Sequence, residues 1–553
     1  MPADQPIARL EDWRDRHLEI KRFPEKWWPP LLRPCRVRIL MVTDGGGSFG
    51  TSDFGLKKLL DTLAVPPVWW VHFEVTTAHR SFDPAADLQG FDFATHDLSQ
   101  YDQIWLFGVR GGSGSDLGGA AVRAVADFME QGGGVFATGD HEDLGVAMCG
   151  AIPRVRSMRK WYWPSKGPNG EPVAPPVGGP DRLDTLSAGP TPGIQFDDQS
   201  DAIPQTIAPR LYPSGPSYPY FIKRAHPHPL LCGPDGIIRV LPDHPHEGEC
   251  IVPSNLAAPF TVDGSPFDEY PVLTGTTRLA PEIVATSHIR GLHTATDIKG
   301  TVTPRTFGAI GAWDGHRVGG RGRVVVDATW HHFFNVNLVG DPNGSSPAKH
   351  LGFLDPSADP AVLENIQAYF RNIAVWLARP QRQACMRRGG LWAIRTNHRF
   401  LMDLRPELYE GFPQKLELPE LLRVGEVARD VLGRTATQCE TWILRHYLLK
   451  EYLPKIYPKW EPWVDPWWPR PPKPEPDPAP WVYADMLGDA VLGATMYAIG
   501  AHIGDPGPDS AAKLQELDDL GELLRPGAEH ALREVTAAME RSGRRLDSLR
   551  AAR

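Results

Sequence analysis

The chain has 553 residues, 41% hydrophobic and 23% charged, which is ordinary for a globular protein and long enough for two or three domains. Its formal net charge of -9 argues against a nucleic-acid-binding surface, since such a surface usually carries a basic stripe. Its 56 prolines, about twice the usual share, predict long irregular loops.

Three features predict the compartment. The six cysteines are scattered and form no Cys-x-x-Cys pair, so we expect neither a disulfide framework nor a thiolate zinc site. Residues 1–35 form an N-terminal extension that lacks the apolar stretch of a secretory signal. The most apolar segment, 482–503, contains Asp485 and Asp489 and is therefore predicted to be a buried helix, not a membrane span. We expect a cytoplasmic protein that binds no membrane.

The first two thirds of the chain alternate apolar, β-branched runs with amphipathic ones, beginning with a strand, a glycine turn and a helix. This alternation predicts an α/β domain over residues 36–380, with a doubly wound, mostly parallel sheet and right-handed crossovers. Strands are predicted at 36–42, 69–75, 103–107, 135–138, 236–241, 307–313 and 323–328, and helices at 53–63, 120–131 and 360–377.

The remaining segments are less regular. Residues 153–281 form a Pro/Gly-rich insertion, which begins with the basic residues Arg154, Arg156, Arg159 and Lys160, expected to be a solvated loop face. After residue 380 the sequence predicts helices. The parts are a helical region at 381–453 (helices 419–432 and 436–452), a Pro/Trp-rich linker at 454–480 and C-terminal helices at 481–553 (helices 482–503 and 511–550).

Polar residues follow several of the predicted strands at the point where each strand ends. Because the carboxyl ends of parallel strands meet at one edge of a sheet, where ligands bind, we expect these residues to converge. Candidate catalytic residues are Asp140, His141, Glu142, His331 and His332, and candidate substrate-binding residues are Asp44, Gly111, Gly112, Asp243 and His246.

Each candidate has a structural alternative. Asp140 could instead cap a helix N-terminus. Adjacent strand residues point to opposite faces, so only one of His331 and His332 is expected to enter the site, and either could be a core histidine. Asp243 and His246 suit acid–base chemistry or a metal, but no ligand spacing requires a metal. The sequence therefore leaves a divalent metal cofactor open.

The order of these motifs resembles the class I glutamine amidotransferase-like superfamily, and within it the ThuA-like proteins. The glycine-rich loop 108–114, the turn 139–143 and the run from Gly320 to His332 match its oxyanion loop, nucleophile elbow and terminal strand with histidine. Residues 228–233 are similar to the His-Pro-x-x-x-Gly element of ThuA-like proteins. The resemblance covers residues 36–380 and implies a flavodoxin-like fold.

The elbow here reads Thr138-Gly139-Asp140-His141, without the cysteine of true amidotransferases, and Cys149 lies too far downstream to replace it without a different geometry. ThuA-like proteins also lack this cysteine, and the resemblance implies a sugar or similar polar substrate.

We therefore predict a hydrolase- or lyase-like enzyme for a small polar substrate. Asp140 or Glu142 would be the general base, and His331 or His332 the acid. His141 would orient substrate or bind metal, Asp44 would line the floor, and the N–H groups of Gly111 and Gly112 would stabilise negative charge. The alternative is a non-catalytic ligand-binding or scaffolding module, which assembles into an oligomer or binds a protein partner through residues 381–553.

Overall fold

The computed structural model describes residues 34–551 except 67, 69, 113–115, 141–143, 162–204, 214–224, 235, 243–247, 290–291, 294–300, 303–304, 341–351, 356–357, 405–407, 436–437, 459–460, 462–464, 466, 468–483 and 505–519. Among these residues, the largest sheet has eight strands, ordered β2-β1-β3-β4-β8-β7-β6-β5. They are β1 Cys35–Thr43, β2 Val71–His79, β3 Gln103–Phe107, β4 Gly134–Thr138, β5 Ala208–Pro209, β6 Glu282–Ile289, β7 Arg305–Trp313 and β8 Val324–Asp327.

Strands β2, β1, β3, β4 and β8 are parallel, whereas β7, β6 and β5 extend the sheet in antiparallel fashion. The predicted α/β class with a mostly parallel sheet is confirmed. Strand β6 was missed, because the irregular composition before it continues into residues with no clear alternation. The register aligns the last residues of the five parallel strands in one row: Thr43, His79, Phe107, Thr138 and Asp327.

Both faces of the parallel strands are buried. Successive residues of β1 alternate between two cores: Ile39 and Met41 face one, Leu40 and Val42 the other. The helices are α1 Lys57–Ala64, α2 Gly119–Glu130, α3 Val146–Cys149, α4 Val155–Met158, α5 Asn335–Val339, α6 Pro360–Leu377, α7 Pro380–Thr396, α8 His398–Asp403, α9 Leu418–Thr435, α10 Gln438–Tyr452, α11 Ala484–Ile503 and α12 Leu520–Ala551. Helices α1 and α6 cover one face and α2 the other.

Several short strand pairs and 3-10 turns lie outside the eight-stranded sheet. Two- and three-residue strands pair as 205–206 with 240–241, 211–213 with 225–227, 232–233 with 236–237, 261–262 with 265–266, 272–274 with 277–278 and 292–293 with 301–302. Single 3-10 turns occur at Leu98–Gln100, Pro229–Leu231, Gly315–Arg317 and Trp330–His332.

The helical region shares its core with the sheet. The apolar cluster that contains Ile39 and Tyr369 continues without a break to Leu421, Tyr497 and Val535. By length and composition α11 could cross a membrane, but 83% of its apolar window, Met486–Ile503, is buried inside the protein. The prediction of a buried helix is therefore confirmed.

Two predictions about side chains were wrong. A disulfide bond joins Cys35, at the start of β1, to Cys385 in α7, and Cys232 also takes part in a disulfide. The basic run is not a solvated face, because Arg154 and Arg159 are fully buried. The Arg154 guanidinium lies 4.3 Å from the centroid of the Trp313 ring, and its Nη2 donates to Glu130 at 2.6 Å.

Candidate active site

Asp140 and His331 meet at the carboxyl edge of the sheet, and we call them the rim pair. His331 Nε2 lies 3.4 Å from Asp140 Oδ2. The other Asp140 oxygen accepts a hydrogen bond from the Thr329 hydroxyl at 2.8 Å. His331 Nδ1 lies 3.2 Å from Asn337 Oδ1. Each ring nitrogen thus faces an oxygen that can accept a hydrogen bond, an arrangement that suits a ring donating a proton on either side.

The two members of the rim pair differ in exposure. Asp140 is 2% exposed, whereas the His331 side chain retains 16% of its exposure. The next helix in the described part of the chain, α3, begins after Gly145 and has no side-chain cap, so Asp140 does not cap α3. A buried carboxylate behind a partly accessible imidazole is an arrangement suited to acid–base chemistry.

His332 and Asp327 form a different, fully buried pair, which we call the core pair. His332 Nδ1 lies 2.9 Å from both carboxylate oxygens of Asp327. The Tyr369 hydroxyl of α6 donates to the same carboxylate at 2.7 Å. His332 is completely enclosed, and its Nε2 has no hydrogen-bond partner among the described residues. The structure thus brings His331 and not His332 to Asp140.

Asp44 lies at the end of β1 and is also buried. Its Oδ1 accepts hydrogen bonds from the N–H groups of Val109 at 2.7 Å and Arg110 at 2.9 Å, whereas its Oδ2 is enclosed without a partner among the described residues. Burial raises the pKa of Asp44, although the two N–H groups and the charges of Arg80 and Arg110 oppose the shift. Nitrogens of Arg80 are likewise enclosed without a partner in the described part of the chain.

The glycine-rich loop after β3 needs its small residues for close packing. A Cβ on Gly108 would lie 2.7 Å from the Cα of Gly145, which has a φ of 97°, so neither position has room for a side chain. Gly111 is half-buried and Gly112 exposed. The N–H groups of Val109 and Arg110, two residues earlier than the predicted pair, donate to the Asp44 carboxylate.

Arg159 connects the two halves of the rim pair, and sequence reasoning missed it. Its Nη2 donates to the carbonyl oxygen of Asp140 at 2.7 Å and to that of Ala328 at 2.6 Å. The guanidinium lies 4.3 Å from the centroid of the Trp161 ring. Arg159 therefore fixes the ends of β4 and β8 relative to each other, and with them Asp140 and His331. Its position within a run of basic residues gave no signal of burial.

Cys149, in α3, is buried and is not a disulfide partner. Burial is the largest effect that raises the pKa of its thiol, and the nearby Asp44 raises it further. A thiol in this state is a poor nucleophile. This agrees with the expectation that no cysteine acts at the elbow.

Four candidates, His141, Glu142, Asp243 and His246, lie outside the described residues. Within the part of the chain that the structure describes, no group of three or more His, Cys, Asp and Glu side chains could hold a metal ion.

Comparison of the chain with models of protein families, with curated proteins and with solved structures gives no match.

Proposed function

We propose that the rim pair is the acid–base centre of a hydrolase- or lyase-like enzyme that acts on a small polar substrate without a cysteine nucleophile. The observation that carries the proposal is the 3.4 Å approach of His331 Nε2 to Asp140 Oδ2 at the end of the parallel strands. This distance is long for a hydrogen bond, but such contacts often tighten only when substrate binds.

In this proposal His331 exchanges a proton with the substrate because its ring is the accessible member of the pair. Asp140 acts as the base that stabilises the charged ring, and Asn337 and Thr329 hold the two side chains in position. Glu142 remains the alternative base and His141 an orienting or metal-binding residue. The loop N–H groups of Gly111 and Gly112 would stabilise negative charge on the substrate.

The chemistry of the site favours a polar substrate. Asp44 and Arg80 both carry enclosed polar atoms without partners among the described residues, and buried polar atoms of this kind are costly unless a ligand satisfies them. A substrate with several hydroxyl groups, such as a sugar derivative, would supply both donors and acceptors.

We also propose that the domain is flavodoxin-like and related to the ThuA-like proteins. The strand order β2-β1-β3-β4 followed by β8 supports a flavodoxin-like topology, in which ligands bind at the carboxyl edge of the sheet. The turn after β4 and the histidine after β8 lie together, which agrees with the resemblance seen in the motifs.

The proposal is tested with a panel of chromogenic nitrophenyl esters, phosphates and glycosides. We expect Asp140→Asn and His331→Gln each to lower kcat/KM by about 100-fold or more on any substrate that the full chain turns over. The melting temperature should change by less than about 3 °C, because both replacements keep hydrogen-bonding groups.

His502→Gln is the matched control, because His502 lies on an exposed end of α11 far along the chain from the site. If His331→Gln and His502→Gln leave turnover equally unchanged, the rim pair is not the acid–base centre. If both rim variants mainly lower the melting temperature, the pair has a structural role instead.

The alternative function, a scaffolding module, has one supporting observation. The last turns of α12 project from the core, and Leu546 and Leu549 are 60% and 66% exposed. Removal of residues 540–553 should then convert an assembly to a smaller species by size-exclusion chromatography with light scattering. A cut after residue 380 would be uninformative, because it would open the core shared with the sheet.

The cytoplasmic location stays a proposal. The disulfide bond between Cys35 and Cys385 weighs against it, because disulfides persist mainly in oxidising compartments.

A further inference from the structure

A cavity lies at the opposite edge of the sheet from the rim pair. It has a volume of about 460 Å³, and both the sheet and helices α7 and α10 line it. Val71, the first residue of β2, contributes to its wall, whereas the last residue of β2, His79, belongs to the row at the rim. β2 has nine residues and therefore extends for about 26 Å between these two ends of the sheet.

The wall of this cavity contains an arginine, Arg387, whose guanidinium packs on an aromatic ring. The Arg387 guanidinium lies 3.9 Å from the centroid of the Tyr447 ring, but it makes no hydrogen bond and no ion pair with any described residue. Burial lowers the pKa of Arg387 to about 10, so the guanidinium is still charged at neutral pH. Its Nε is enclosed without a hydrogen-bond partner among the described residues, and an anion would stabilise such a group.

Three carboxylates of the cavity wall bind or lie near Arg317 or Arg323. Asp314 accepts from Arg323 at 2.7 Å, and Asp465 accepts from Arg317 at 2.5 Å. Glu461 lies 3.9 Å from the Arg317 guanidinium. These three carboxylates are therefore held by other arginines. A further carboxylate of the wall, Glu451, acts on Arg387 through its charge, but no hydrogen bond or ion pair joins the two side chains.

Charged groups of both signs surround His316 in the same wall. Burial is the main effect that lowers its pKa, and the charges of Arg323, Arg387 and Lys450 lower it further. Its Nε2 is enclosed without a hydrogen-bond partner among the described residues. The carboxylate of Asp314 opposes these three charges, so the wall around the neutral His316 imidazole carries charges of both signs.

The rest of the wall is apolar and aromatic, with Trp70, Trp376, Met386 and Leu444. We propose that this cavity is a binding site for a small aromatic anion, a ring body carrying one carboxylate, with the carboxylate on Arg387 and the ring between Trp70 and Trp376. Its volume is within the usual range for small-molecule sites, and an arginine fork matches the geometry of a carboxylate.

Two fluorescent probes with the same ring body test the proposal: 1-anilinonaphthalene-8-sulfonate, which is anionic, and N-phenyl-1-naphthylamine, which is neutral. We expect the full chain to bind the anionic probe saturably at one site. Arg387→Met should weaken this binding at least about tenfold, while the affinity for the neutral probe changes less than about threefold. Arg388→Met is the matched control, because Arg388 is the exposed neighbour in α7.

A steric variant locates the bound ring. A Cβ on Gly390 would lie 3.9 Å from Leu432 Cδ1 and 4.0 Å from Trp70 Cζ2, so a larger side chain there can extend into the cavity. Gly390→Phe should abolish binding of both probes, whereas Gly543→Phe, on the exposed end of α12, should not. Circular dichroism checks that each variant folds.

Equal affinities of Arg387→Met and Arg388→Met for the anionic probe would overturn the proposal. So would binding of both probes by a folded Gly390→Phe variant as tight as that of Gly543→Phe. If Gly390→Phe does not fold, the comparison of the two arginine variants decides.

Discussion

The rim pair and the core pair place the same two residue types, aspartate and histidine, in opposite environments a few ångströms apart. His331 remains partly accessible, and its carboxylate partner comes from another strand. His332 is completely enclosed, and its partner Asp327 precedes it on the same strand end. The chemistry of a histidine after a strand therefore depends on which side of the turn it faces, because a 3-10 turn has about three residues per turn and successive side chains point about 120° apart.

The largest expected effect comes from breaking the core pair. Asp327→Ala removes the acceptor shared by His332, Tyr369 and the Thr329 N–H, and it leaves these groups buried without a partner. We expect the free energy of unfolding to fall by about 3–5 kcal/mol. Asp140→Asn, measured in the same urea titration, should cost less than about 1 kcal/mol. Similar losses from the two variants would contradict the distinction between the pairs.

His228 extends the comparison to a buried histidine that has no carboxylate hydrogen bond among the described residues. Its Nδ1 accepts from the Leu230 N–H, and burial lowers its pKa to about 3, with Arg323 adding to the shift. Because the pKa of His228 is lowered in the folded protein, its contribution to stability is fully present above the usual histidine pKa of 6.5. That contribution is lost as the pH falls towards 3.

From this residue alone, we expect the free energy of unfolding to be about 2–3 kcal/mol lower near pH 4.5 than at pH 8. His228→Asn keeps a cap acceptor for the Leu230 N–H and does not titrate in this range. Its stability should therefore vary less with pH than that of the wild type, measured by chemical denaturation at each pH. Parallel pH curves for the two proteins would show that His228 titrates normally.

A smaller effect is expected when the core pair loses one hydrogen bond. Tyr369→Phe removes the hydroxyl that donates to Asp327 but keeps the ring packed against Phe333 and Phe370. The free energy of unfolding should fall by about 1.5 kcal/mol, because the bond goes to a carboxylate. Any turnover found for the rim pair should stay unchanged. A loss of kcat without a loss of stability would instead connect the core pair to the reaction.

The smallest effect has the opposite sign. Burial raises the pKa of Asp44, so its favourable contribution to folding is present below the usual value of 3.8 and is lost as the pH rises through the higher value in the folded protein. Asp44→Asn keeps an acceptor for the N–H groups of Val109 and Arg110, and it should stabilise the protein by on the order of 0.5 kcal/mol at pH 7. The gain should vanish near pH 3; a loss at pH 7 would mean that Arg80 and Arg110 outweigh burial.

The sequence predicted the parallel strands because strands buried on both faces appear as continuous apolar runs, as in β1 and β3. It also predicted that the ends of β4 and β8 meet, and the structure places Asp140 beside His331. It could not choose between His331 and His332, since the choice depends on the 3-10 turn at Trp330–His332. Tyr369, from α6, and Arg159, buried behind the rim, come from distant segments whose local sequence carries no sign of these contacts.

The disulfide bond between Cys35 and Cys385 limits which fragments a single proteolytic cut can release. It joins the first strand of the sheet to α7, across a sequence separation of 350 residues. A protease that cuts the chain once anywhere inside this span leaves both fragments covalently attached. The long Pro/Gly-rich insertion lies within the span, so nicking there alone cannot release the helical region from the sheet.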